Sequence, residues 1–96
     1  MKMTSNPLHV LTTLIGKETT SQLRNDLREA FYVCYYNKEV ADTEKLRVLA
    51  IAEGDMEKLV EVHEHLDHLF QINVAVKRWS EQGLQNQLEE IIGLLQ

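Results

Sequence analysis

The chain has 96 residues, 44 % of them apolar and 26 % charged, with a formal net charge of −5. That length holds one core, so residues 1–96 are expected to form a single domain, and the apolar share is too high for a disordered chain. The acidic balance makes nucleic acid and anionic membranes poor default partners, and a lone cysteine, Cys34, excludes an internal disulfide and fits a reducing compartment.

The opening "MKMTSNPLHVLTTLIGK" has only a short apolar stretch, interrupted by His9, Thr12 and Thr13. It lacks the apolar strength and small-residue cleavage site of a secretory leader, and no run approaches the roughly 20 residues of a membrane span. The expectation is a soluble cytoplasmic protein. Pro7 suits the first position of a short helix after an Asn6 cap, with Leu8, Leu11, Leu14 and Ile15 on one face and Gly16 as its stop.

A second helix is expected from "TTSQ", where Thr19 and Gln22 have capping-box spacing. Its inner stripe reads Leu23, Leu27, Ala30, Phe31 and Cys34, and Asn37 suits a left-handed exit. A third runs from a cap at Asp42 or Thr43 to Gly54. Asp55 caps a fourth, with Met56, Leu59, Val60, His63, Leu66 and Phe70 at helical spacing. The pattern blurs near Ile72 and Asn73, so "VAVKRWSEQG" reads as a separate short helix ending at Gly83. A last helix carries Leu84, Leu88, Ile91, Ile92 and Leu95. No strand is expected. Glycines between helix pairs point to an all-α fold of stacked antiparallel helical hairpins.

The segment "VHEHLDHLF" holds three of the four histidines. "HEHLD" approaches the zinc-protease pattern, but its fifth residue is Asp67, where two imidazoles one turn apart are needed. Neither His63 with Asp67 nor Glu64 with His68 gains a third ligand from elsewhere. No metal site is therefore expected; the reading is a solvated acidic face with His63 half-buried on the stripe of Leu59 and Leu66. Cys34, inside an aromatic helix, reads as an inert small hydrophobe. The four glycines are isolated, so no phosphate loop exists. No pattern calls for a cofactor, and the chain is expected not to be an enzyme.

Ala50, Gly54 and Val60 fall at helix-turn-helix offsets. The would-be recognition helix, however, carries Asp55, Glu57, Glu61, Glu64 and Asp67 against Lys58 alone, a charge that repels phosphate. A protein partner fits better. Phe31, Tyr32, Tyr35 and Tyr36 crowd little more than one turn, and tyrosine suits a surface that is apolar yet wet when free. Trp79, beside Lys77 and Arg78, is a second anchor candidate. A different class of binder, a small acidic inhibitor or immunity-type protein using its Asp55–Asp67 face, is the alternative.

"AIAEGDMEKLVEVHEHLDHL" resembles the middle of a tetratricopeptide repeat, with Gly54, Asp55 and Met56 in the turn and Leu59, His63 and Leu66 at the following consensus positions. Gly83 marks a second turn, although 29 residues separate it from Gly54, short of the usual repeat of about 34, and the consensus alanines and closing proline are missing. Over roughly residues 20 to 95 the chain is similar to the needle-subunit chaperones of type III secretion systems. The resemblance implies a tetratricopeptide-like fold and a hetero-oligomer. By the same resemblance the chaperone, usually with a small helical co-chaperone, would hold the amphipathic C-terminal helix of its client, the needle subunit, in an apolar groove so that it does not polymerise early. That groove would be lined by Tyr32, Tyr35, Leu46, Leu49, Leu66, Phe70 and Trp79.

Overall fold

In the computed structural model, which describes residues 7–96, the chain forms five α-helices: α1 (Pro7–Thr12), α2 (Ser21–Phe31), α3 (Asn37–Glu53), α4 (Met56–Gln82) and α5 (Gln85–Leu95). The described residues include no strand. The expected all-α architecture of antiparallel hairpins is present: α3 and α4 turn at Gly54, α4 and α5 at Gly83. Both glycines stand in the left-handed region, at φ 68° and 70°. Asp55 caps α4 as expected, its carboxylate accepting from the Lys58 N–H at 3.1 Å.

The two turns differ in what surrounds them. A Cβ at Gly54 would meet nothing within 4 Å, whereas one at Gly83 would lie 2.7 Å from the Arg24 guanidinium carbon. That guanidinium is tethered: Nη1 donates to the Thr19 carbonyl at 2.7 Å and Nε to the Ser80 carbonyl at 3.3 Å. Both Gly→Ala changes carry left-handed strain of about 1–3 kcal/mol. Gly83→Ala should be the more costly in a urea titration, because it also dislodges Arg24.

Several expected boundaries fall elsewhere. No break separates the second and third helices: α2 runs through one turn of π-helix at Tyr32–Tyr36 into α3, and Asn37 is ordinary right-handed helix at φ −62°. Thr43 is no cap; it is buried and its hydroxyl donates back to the Glu39 carbonyl at 2.7 Å. Nor does α4 stop near Ile72. Between Gly54 and Gly83 there is no glycine or proline to end it, so 27 residues form one rod. The α2 cap is Thr20 rather than Thr19, its hydroxyl accepting from the Leu23 N–H at 3.1 Å. Helix α1 begins at Pro7 as expected; the Asn6 cap lies outside the described residues. It ends at Thr12, where Thr12 and Thr13 donate to the His9 and Val10 carbonyls.

Residues 21–53 therefore form one long helix, about 50 Å at 1.5 Å per residue, matching the longest dimension of 49 Å. It lies antiparallel to α4. The core gathers at one end, where Leu11, Phe31, Leu69, Ile72, Ala75, Val76, Trp79, Leu88, Ile91 and Ile92 pack together from α1, α2, α4 and α5. The other end is a two-helix arm, α3 against the first half of α4, that buries only Thr43, Ala50 and Val62. Two helices cannot cover each other's full circumference. Leu46, Val48, Leu49, Ile51, Met56, Val60 and Phe70 consequently remain exposed.

Candidate partner-binding surface

Helix α4 carries two apolar seams. The inner one, Val62, His65, Leu69, Ile72, Val76 and Trp79, steps by three and four residues. All but His65 are buried, and His65 lies 3.8 Å from Glu39 of α3. The second, Met56, Leu59, His63, Leu66, Phe70 and Asn73, has the same alternation displaced by one residue. One residue is about 100° of helix rotation, so the second seam lies round the side of α4 from the first. Leu59, Leu66 and Asn73 are half-buried at the edge of the inner seam; Met56, His63 and Phe70 are exposed. Sequence periodicity finds this second seam but does not say which way it faces. His63, expected half-buried on it, is in solvent. Helix α3 makes such ambiguity general: Val48, Leu49 and Ile51 make it apolar on nearly every side.

The seven residues expected to line a groove do not form one surface. Leu66 and Phe70 lie on the second seam of α4. Leu46 stands seven residues after Glu39, hence on the same flank of α3 that reaches His65, and Leu49 lies further round in that direction. That is the opposite side of the arm from Phe70. Tyr32 and Tyr35 are half-buried against the core. Trp79 is 2 % exposed and sits inside the core, so as an exposed anchor it is corrected: its place on the inner seam aims the indole away from solvent.

The aromatic clump is explained by the π turn. A π turn holds one residue more than an α turn, and the Asn37 N–H accordingly reaches back five residues to the Tyr32 carbonyl. Residues five apart then meet: the Phe31 and Tyr36 rings stack at 6.4 Å, while Phe31–Tyr35 and Tyr32–Tyr36 contact at 5.2 and 5.7 Å. Arg28 lies over the Tyr32 ring at 5.5 Å. Burial, with the Glu39 carboxylate adding to it, pushes the Tyr35 phenol above its ordinary value. A raised acid stays neutral through the physiological range, so the Tyr35 ring offers packing rather than charge. Cys34 and Val33 are exposed, Cys34 at the lip of an apolar cavity.

Beside the clump is an apolar cavity of about 110 Å³ between α1, α2 and α4, with Leu11, Leu27, Phe31, Tyr35, Val76 and Trp79 among its walls. Tyr35 and Trp79 both line it.

In the histidine-rich segment, His68 is the half-buried member, its Nε2 2.8 Å from the Leu94 carbonyl of α5. That contact ties α5 to α4 on the side away from the second seam. Among the described residues no three His, Cys, Asp or Glu side chains are placed to hold a metal ion. No helix among them is long and apolar enough to cross a membrane. Comparison with protein-family models, with curated proteins and with solved structures gives no match.

Proposed function

We propose that this chain is a non-enzymatic cytoplasmic chaperone that holds an amphipathic helix of a self-assembling protein. The client suggested by the resemblance is the needle subunit of a type III secretion system, bound in a hetero-oligomer that can include a small helical co-chaperone. One observation carries the reading: the α3–α4 arm leaves an apolar stripe along a long helix with no neighbour among the described residues, beside a core packed from α1, α2, α4 and α5. An unpartnered stripe of that shape accepts another helix. Each large side chain covered contributes on the order of 1.5–3 kcal/mol before the cost of association.

Co-expression tests the proposal. With the needle subunit of the same operon, the chain should give a soluble complex on gel filtration and delay the subunit's polymerisation. Polymerisation that proceeds equally fast with and without the chain overturns it.

A further inference from the structure

We infer that the second seam of α4, Met56 through Asn73, is the face that receives the partner's helix, and that this helix carries basic residues beside its apolar stripe. The inference rests on the helix-holding role proposed above and adds the surface and the chemistry of the partner.

The geometry comes first. A helix packed against one neighbour needs a single seam, whereas α4 has two with identical three-four spacing, one residue apart. That pattern belongs to a helix with neighbours on two sides. The inner seam is satisfied by α2 and α3. Helix α5 packs on the His68 side, so it leaves the second seam uncovered. From Met56 to Asn73 the seam is about 26 Å long, enough for a helix of about five turns.

Charge selects the occupant. Asp67 borders the seam directly, and Glu57 and Glu64 occupy the next row round the helix; all three are exposed and make no ion pair among the described residues. Lys58, the one cation between Asp55 and Asp67, lies on the other flank and reaches Glu61 at 3.9 Å. Lys77 and Arg78 come only after the seam has ended. A second copy of this chain is disfavoured: pairing seam to seam about Leu66 brings Glu64 and Asp67 against their own equivalents. A partner with lysine or arginine flanking its stripe neutralises that row instead.

Two labelled 18-residue amphipathic peptides with the same leucine stripe, one flanked by lysine and one by glutamate, are titrated against the full chain by fluorescence anisotropy. The lysine-flanked peptide should bind about tenfold or more tightly than the other, and more weakly as salt rises. Phe70→Glu should weaken it about tenfold or more, while Leu46→Glu with Leu49→Glu changes it by less than about twofold. Glu64→Lys with Asp67→Lys should reverse the preference. Phe70 is 61 % exposed, so its variant is expected to keep its helical circular dichroism; Met56→Glu, at 69 %, serves if it does not. Loss of binding that follows Leu46 and Leu49 instead of Phe70 overturns the seam assignment and leaves the helix-holding role standing. Equal binding of both peptides, binding that depends on charge but not on Phe70, or a self-associated chain that Phe70→Glu dissociates also overturns it. Failure of both peptides overturns it too, and the co-expression result then decides the broader role separately.

Discussion

Trp79→Ala is expected to cost about 3–5 kcal/mol, a large part of what a domain of this size has to spend. The indole is 2 % exposed and packs in the same cluster as Phe31, Leu69, Ile72 and Val76. It also walls the cavity of about 110 Å³ beside Phe31. Truncation would enlarge a void that already exists, and the rigid α2–α4 packing leaves little room to collapse around it. Phe70→Ala makes the contrast. Its ring faces solvent, so its removal should change stability by about 0.5 kcal/mol or less, while weakening the binding of a helix on the proposed seam. Urea titrations of the two variants, followed by circular dichroism, separate them. A Trp79→Ala protein as stable as the parent would mean that the core has been placed in the wrong half of α4.

The same pair shows what could be read from the residues and what could not. Punctuation was legible: Gly54 and Gly83 each end a helix in the one conformation that only glycine adopts freely, and Asp55 starts α4. The faces were not. Met56, Leu59, Leu66 and Phe70 are as apolar as Val62, Leu69, Ile72 and Val76, and both sets step by three and four. Periodicity finds each seam but carries no sign saying which is inside. His65, in the middle of the buried seam, disguises it further, because its ring extends from the seam's edge to Glu39. Reading the outer seam as the inner one produced the apparent break at Ile72, where the inner seam becomes dominant. The resemblance, not the periodicity, put Leu66 and Phe70 in a groove, and it grouped Trp79, on the other seam, with them. The continuity of α2 into α3 was hidden for a different reason. A single extra residue in a helix leaves no glycine or proline behind; its trace here is only the length of the aromatic run from Phe31 to Tyr36.

That extra residue leads to the second large effect, a pair of single-residue deletions with opposite outcomes. Deleting Ala41, an exposed residue of regular α-helix, turns every later residue of α3 by about 100° relative to the base. Glu44 then takes the place of Thr43, which is only 3 % exposed, and Ile51 the place of Ala50. A carboxylate forced into that contact with α4, next to an oversized side chain, should cost about 3 kcal/mol or more and unfold the arm. Deleting Val33 acts the other way. Val33 is exposed and lies within the π turn, so its loss lets the turn close to ordinary α-helix. Tyr36 then stands four residues from Phe31, where an α-helix keeps the two rings on one face. The faces on either side stay in register, Thr43 and Ala50 still meet α4, and stability should change by no more than about 1 kcal/mol. Circular dichroism and urea midpoints read both results. Equal damage from the two deletions would show that the π turn sets the rotation of α3 instead of absorbing a spare residue.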